Sequence, residues 1–348
     1  MNPVTLSSAP DAMSILKRGA SLSAPPIALS SMQTLGVVCP VFREEEAIER
    51  FHGRLAAAIA PLGERYRLRI VYVVDPAEDL TESILQRLAG AESGVEVLVM
   101  SRRFGHQAAL LAGIEHCDAD AIVMLDSDLQ HPPELIPELV ARWEGGADIV
   151  QTVREDSADT PLLKRLTSRW FYEFMLKVGS IDLPVGAADY RLISARIAQL
   201  LRDEIRERNP FLRGLFSWVG FTVAYVPFAP AQRAGGTSKY RWGRLLSFAL
   251  NGVCSFSKVP LRFCIGAGIV LATLSILFSI LQVILYIRGE AIVPGWATLI
   301  GAVGLIGGVQ LFFLGVIGEY LSIVFDEVKA RPRYIVAHRY GSRVDADE

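Results

Sequence analysis

Apolar residues come in short runs over the first two thirds of this chain and in long runs after that. LGVVC (35–39) is a compact apolar run stopped by Pro40, the pattern of a buried parallel strand. Residues 44–60 then place Ile48, Phe51, Leu55 and Ile59 at helical spacing, with Glu44, Glu45 and Glu46 where a helix dipole favours negative charge. RIVYVV (69–74) predicts a second strand, 82–88 a helix, VEVLVM (95–100) a third strand, 106–116 a helix and AIVML (121–125) a fourth strand. Strands alternating with helices in this way predict an α/β domain with a mostly parallel, doubly wound sheet. Such sheets bind ligands beyond the carboxyl ends of their strands. The segments to inspect are therefore 40–44, 75–79, 101–105 and 126–131.

Past Trp143 the pattern loosens. Residues 149–153 read as a strand, 162–178 as an amphipathic helix, 182–191 as a turn-rich loop, and 221–226 as a strand ended by Pro227. Residues 242–257 form an apolar, sparsely charged stretch suited to a helix lying in a membrane interface. Phe263 to Ile287 then carries no charge, a run of about 25 positions, and a helix needs about 20 to cross a bilayer. A second uncharged run extends from Ala291 to Gly318, its helix beginning near Trp296, and the connector is Arg288-Gly289-Glu290. This predicts a two-helix transmembrane hairpin with both chain ends on one side. Arg244, Lys258 and Arg262 precede it and Lys329, Arg331 and Arg333 follow it, so the positive-inside rule puts both ends in the cytoplasm. Gly301, Gly304, Gly308, Gly315 and Gly318 give the second span a small-residue face that permits close helix contact. Glu319, near its inner end, is expected to meet Arg262, Lys329 or interfacial water.

Composition adds three points. Hydrophobic residues make up 51% of the chain, high for a soluble enzyme and in line with the two spans. A net charge of -2 leaves no electropositive footprint for nucleic acid. Cys39, Cys117, Cys254 and Cys264 lack zinc or redox spacing and read as buried or membrane thiols. Residues 1–34, rich in Ser, Ala and Pro, are expected to be a disordered segment and carry no signal-peptide core. The expected organisation is then a catalytic α/β domain at 35–234, juxtamembrane interface helices at 235–260, two membrane helices at 261–326 and a cytoplasmic tail at 327–348.

The strongest local chemistry is Asp126-Ser127-Asp128-Leu129-Gln130 at the end of AIVML. Two carboxylates at i and i+2 in a loop after a buried strand can converge on one hard cation, Mg²⁺ or Mn²⁺, which keeps positions open for phosphate oxygens. Its task would be to neutralise a diphosphate leaving group.

PVFREEE (40–46), SRRFGHQAAL (101–110), DSDLQHPPEL (126–135), RLTSRWFYEFM (165–175), DYRLIS (189–194), RNPFLRGLFSWVGF (208–221), GGTSKYRW (235–242) and the tail GEY…EVKARPRYIV (318–336) occur in order. With them the chain resembles the family 2 glycosyltransferases, in the polyprenyl-phosphate branch that includes dolichol-phosphate mannose synthase and bacterial undecaprenyl-phosphate glucosyl and aminoarabinosyl transferases. The resemblance spans Leu35 to Val336. It implies a GT-A catalytic fold, a nucleotide-sugar donor with UDP-glucose the first choice, a polyprenyl-phosphate acceptor and a homo-oligomer in the bacterial inner membrane. By the same resemblance, Pro40, Phe42 and Glu44 pack on the base and ribose, and Asp75 reads the base edge. Asp126, Asp128 and Gln130 hold metal and diphosphate. Arg154 and Arg169 hold the acceptor phosphate, and Ser238, Lys239 and Tyr240 belong to a loop closing near donor and membrane. His106 becomes a helix-start donor near the diphosphate. Asp189 stands beside the reaction centre, either as base or as the group that orients Arg191 or the sugar. The expected reaction is single displacement with inversion, since no second carboxylate is needed as nucleophile.

The chain departs from that pattern at several pocket positions. Arg43 and Arg103 stand where Asn is usual, Val74 where Asp is usual, Pro76-Ala77 where Gly-Ser follows, Gly186 and Ala188 where Asp and Gly are frequent, and Ser322 where Arg is usual. Two other readings remain. A processive polysaccharide synthase would carry Gln-x-x-Arg-Trp and more spans, whereas this chain reads Ser238-Lys239-Tyr240-Arg241-Trp242. A non-catalytic membrane scaffold would not need Asp126, Asp128, Gln130, Arg154 and Asp189 together.

Overall fold

The structure, a computed structural model, describes residues 32–154, 186–208, 210–229, 259–288 and 295–341. Arg169, Ser238, Lys239, Tyr240, the 162–178 helix and the 242–257 interface helix lie outside the described residues.

Among the described residues eight strands form one sheet in the order β7-β5-β6-β4-β1-β2-β3-β8. They are β1 (Thr34–Val41), β2 (Arg67–Val74), β3 (Val95–Met100), β4 (Ala121–Met124), β5 (Ile149–Arg154), β6 (Ala187–Ser194), β7 (Val223–Phe228) and β8 (Val336–Tyr340). β1 pairs in parallel with β2 and β4, β2 with β3, and β5 with β7. β6 runs antiparallel to both β4 and β5. That double reversal turns β5 and β7 back to the direction of β1–β4, so six strands end on one edge. β8 is antiparallel to β3, so its first residues lie at that edge too.

Helices α1 (Ile48–Ile59), α2 (Thr81–Ala91), α3 (His106–His116), α4 (Ile136–Glu144), α5 (Ala195–Gln199) and α6 (Leu212–Trp218) accompany the sheet. The apolar stripe read in α1, Ile48, Phe51, Leu55 and Ile59, is the buried one and joins the core with Val37, Cys39, Tyr72 and Val97. On the other face α3 packs on Val38, Val71 and Val73. Gly113 permits that approach, since a Cβ there would lie 2.2 Å from Val38 Cγ1.

Several elements differ from the sequence reading, and β1 runs through Pro40 to Val41 rather than stopping at the proline. The expected loop at 182–191 is, from Ala187, the strand β6. Its Arg191 is 2% exposed, donates to the Ala188 carbonyl at 3.0 Å and stacks on Phe216 at 4.5 Å. A buried arginine within a strand imitates a polar turn in a sequence pattern. β7 runs through Pro227 because it is an edge strand, where a missing N–H costs no ladder bond. α4, behind Pro132-Pro133, and β8, in the tail, are not among the elements predicted above, although in α4 Ile136, Leu139 and Val140 stand at helical spacing and are buried. β8 exists because the β3 edge is there to receive it.

α7 (Val259–Ile287) and α8 (Trp296–Lys329) leave large apolar side chains uncovered, among them Ile265, Ile269 and Phe278 on α7 and Leu305, Leu311 and Phe312 on α8. Among the described residues one helical stretch, Ala302–Lys329, is long and apolar enough to cross a membrane, and Phe263–Phe278 is a shorter apolar one. Beyond α8, Ala330 takes a left-handed conformation with φ 51°. The end of α8 is then tied to the α/β unit. The Arg208 N–H donates to Glu327 Oε1 and its guanidinium to the Arg331 carbonyl, both at 2.7 Å. Arg333 donates to Glu115 at 2.5 Å.

Candidate active site

The loops that follow β1–β4, together with the start of β6 and the end of β5, meet at one edge of the sheet. After β1, Phe42 is half-buried and Arg43 takes φ 59°. The loop is pinned where the Glu44 N–H donates to Thr81 Oγ1 at 3.1 Å and the Leu80 N–H donates to Glu45 Oε2 at 3.0 Å. The Ser127 hydroxyl donates to the Pro40 carbonyl at 3.1 Å, joining the ends of β1 and β4.

Asp75, expected to read the base edge, is 4% exposed. Its two carboxylate oxygens accept the N–H groups of Phe104 at 3.0 Å and Gly105 at 2.9 Å. Gly105 adopts φ 97°, a conformation open to glycine. Asp75 thus fixes the 101–105 loop from beneath. The same loop lays the Arg103 guanidinium on the Phe42 ring at 3.9 Å and that of Arg102 on Phe104 at 4.0 Å.

After β4, Asp126 Oδ1 meets His106 Nε2 at 2.6 Å, and the Asp126 N–H donates to His131 Nδ1 at 3.1 Å. The same nitrogen lies 3.5 Å from the Asp126 carboxylate. The His131 ring stacks on Tyr190, centroids 5.4 Å apart. Asp128 receives the Gln130 backbone N–H at 3.0 Å and its side-chain amide at 2.7 Å. Leu129 between them has φ 64°, a strained backbone of the kind that clusters at binding loops.

At the start of β6 lies Asp189. The Arg213 Nε donates to Oδ1 and Nη2 to Oδ2, both at 2.7 Å, a two-point fork. Arg191 lies 3.4 Å from Oδ1. Burial alone would raise the Asp189 carboxyl, but the Arg213 hydrogen bonds and charge, with Arg191 and His106, outweigh it and bring it down to about 2. Burial lowers Arg191 to about 10 against the opposing pull of Asp189. Burial likewise works to raise Asp126, yet the His106 hydrogen bond holds it below the ordinary range. His106 is the mirror case: burial lowers it, and the bond to Asp126 with the charges of Asp126 and Asp189 raises it overall. Asp189 and Asp126 therefore share one electrostatic neighbourhood.

Arg154 is exposed at the end of β5, and its backbone N–H donates to the Gly186 carbonyl at 2.9 Å. That bond closes the neck between β5 and β6. Gly186 sits there at φ 84°, where a Cβ would lie 2.8 Å from the Arg154 carbonyl oxygen.

The donor set suits a cation that arrives with its substrate. Asp126 and Asp128 supply hard carboxylate oxygens two residues apart, and among the described residues no group of three or more His, Cys, Asp or Glu forms a closed cage. Mg²⁺ is commonly held by one or two carboxylates with substrate phosphates completing its shell. Asp126, Asp128 and the Gln130 side-chain oxygen would hold it.

Residues 36–201 match the family model described as Glycosyl transferase family 2. The chain is 37% identical over 309 residues to the SfII prophage-derived bactoprenol glucosyl transferase of Shigella flexneri, covering 88% of this chain and 98% of that protein. It is 37% identical to the prophage bactoprenol glucosyl transferase homolog of Escherichia coli (strain K12), covering 87% and 98%. It is 35% identical to the uncharacterized glycosyltransferase YkcC of Bacillus subtilis (strain 168), covering 88% and 94%. The chain belongs to glycosyl transferase family 2. It is a glycosyltransferase, and its sheet, parallel in the main and carrying its polar loops at one edge, is of the GT-A kind.

In this family 2 glycosyltransferase the sequence reading does not single out Arg213. It lies within RNPFLRGLFSWVGF, but nothing in a linear pattern links it to Asp189, 24 residues earlier. His106 is legible as a residue near the diphosphate loop, yet the convergence of His106 and His131 on Asp126 depends on α3 and the β4 loop being brought together.

Proposed function

We propose that this glycosyltransferase moves one sugar from a nucleotide-sugar, UDP-glucose by first choice, to a polyprenyl phosphate such as undecaprenyl phosphate, with inversion at the anomeric carbon. The observation that carries the reading is the meeting of the Asp126–Asp128 loop with the Asp189–Arg213 pair at one sheet edge. The names of the bactoprenol glucosyl transferase relatives support the acceptor class. A divalent ion, Mg²⁺ or Mn²⁺, would supply charge neutralisation for the departing diphosphate.

The chain's own residues do the rest. His106 orients Asp126, keeping its carboxylate ionised. An acceptor phosphate oxygen attacks the anomeric carbon as the bond to the diphosphate oxygen breaks. The acceptor's second ionisation lies near pH ~6, so it needs little help losing a proton. Asp189, held near 2 by Arg213, is a feeble base. Its role in this reading is to hold Arg213 and Arg191 in place, with Arg154 and Arg169 gathering the acceptor phosphate. Phe42, Pro40 and Glu44 receive the nucleoside, and Ser238, Lys239 and Tyr240 close over the donor.

The membrane side of the proposal is a hairpin of α7 and α8 with the catalytic domain in the cytoplasm. The uncovered apolar side chains of both helices support it. Multi-pass insertion in a bacterial inner membrane and a homo-oligomer belong to the same reading, as does the division into a catalytic domain at 35–234, interface helices at 235–260, spans at 261–326 and a tail at 327–348.

The test is to incubate the full-length protein with polyprenyl phosphate, Mg²⁺ or Mn²⁺ and a panel of nucleotide-sugars, and to weigh the lipid product. A lipid carrying one sugar supports the proposal. A polymer, or donor turnover without any lipid product, overturns it.

A further inference from the structure

The end of α8 and the tail beyond it lie along elements that lead to the site. The Arg208 N–H donates to Glu327 Oε1 and its guanidinium to the Arg331 carbonyl, both at 2.7 Å. Arg333 donates to the Ile205 carbonyl at 2.9 Å and to Glu115 Oε1 at 2.5 Å, and the Tyr334 hydroxyl donates to the other Glu115 oxygen. The Ser101 N–H donates to the Ile335 carbonyl at 2.8 Å, just before β8 joins β3. Each of these partners is continuous with part of the site. Ser101 opens the 101–105 loop. Glu115 is in the last turn of α3, whose first residue, His106, bonds Asp126. Arg208 shortly precedes Arg213, which grips Asp189, and the Leu212 N–H between them donates to Gln107 Oε1 at 3.3 Å. The turn from α8 into the tail is stiff. Ala330 takes φ 51° where glycine is the usual residue, and Pro332 follows. A swivel would use glycine's freedom; an alanine in the left-handed region, then a proline, holds the chain to one path.

We propose that Arg208 and Arg333 are positioning residues: they make the 330–335 tail a strut that fixes the Asp189–Arg213 pair relative to the end of α8, so that a phosphate at the membrane surface meets it in one orientation. The inference rests on the polyprenyl-phosphate reading above, with α8 in the membrane. An acceptor anchored by its chain offers its phosphate only at the bilayer surface, so the site must stand at that height and face it. A domain joined to the helix by a loose linker samples many orientations, and the effective concentration of the phosphate at the site falls. A soluble acceptor approaches from any side and carries no such requirement. The strut therefore acts on one substrate of the two. It matters for the anchored acceptor and is indifferent to the nucleotide-sugar.

The experiment uses the full-length protein in vesicles of phosphatidylethanolamine and phosphatidylglycerol that contain undecaprenyl phosphate, with Mg²⁺ and the nucleotide-sugar the wild type uses. Two controls report on the site itself: transfer to a water-soluble short-chain prenyl phosphate, and affinity for the nucleoside diphosphate by calorimetry. Arg208→Ala and Arg333→Ala break the strut at different points, so either one that melts with the wild type carries the test. Each should lower kcat/KM for the vesicle acceptor by about tenfold and leave both controls within about twofold, since orientation is lost and the reacting groups are not. An equal fall in a control would make the role merely structural and overturns the proposal, as does unchanged transfer in vesicles or failure of both variants to fold. A wild type that glycosylates neither prenyl phosphate overturns the acceptor reading itself, and this inference with it.

Discussion

Arg213 grips Asp189 through two parallel hydrogen bonds of 2.7 Å, and the two residues come from different elements, the start of β6 and the first turn of α6. The fork matches a guanidinium to a carboxylate plane, which an ammonium cannot do. Arg213→Ala and Arg213→Lys are both expected to lower kcat by about a hundredfold, the usual consequence of losing the geometry of a positioned group. Steady-state transfer assays on both variants check this. A lysine variant with wild-type kcat would show that charge alone suffices.

The same pair fixes a pH expectation. The folded Asp189 carboxyl, at about 2, lies below its ordinary value. Its contribution to stability is therefore complete above about pH 3.9 and is lost as the pH falls through the folded value. Asp189 stays ionised throughout the working range, so the acid limb of turnover belongs to the acceptor phosphate, near pH ~6. Replacing the acceptor by a phosphonate of higher pKa should move that limb upward. A limb that stays put when the acceptor is changed contradicts this assignment.

Asp128 bonds only to Gln130 among the described residues. Asp128→Ala is expected to abolish transfer while leaving thermal unfolding unchanged, and chelation of divalent ions is expected to have the same effect on the wild type. Transfer at wild-type rate in the variant would remove the carboxylate pair from the reaction.

A stability prediction concerns the tail. Glu96 on β3, 1% exposed, is bonded by Arg69 from β2 at 2.7 Å and paired with Arg339 from β8. Glu96→Ala would leave two guanidinium groups facing each other without their carboxylate, and breaking a buried pair costs about 3–5 kcal/mol. Urea unfolding of the variant should show a loss of that order. Arg339→Ala should cost less, because Arg69 remains to pair with Glu96.

Much of this protein was settled by its linear pattern. The apolar runs of β1–β4 and the stripe of α1 needed no tertiary information, because burial on both faces demands an uninterrupted run and burial on one helix face demands a spacing of three or four. The same pattern put Asp126 and Asp128 at a strand's carboxyl end. Tertiary structure decided the rest. β6 is a strand because neighbours on both sides take its backbone bonds, and β8 is one because β3 offers an open edge. Asp75 stands after β2 in the linear pattern, but its partners, the Phe104 and Gly105 N–H groups, come from the folded 101–105 loop. Arg213 becomes the partner of Asp189 only when α6 is packed against the sheet. Local sequence encodes where a side chain lies along an element, whereas the partner it meets depends on which distant elements the fold brings alongside.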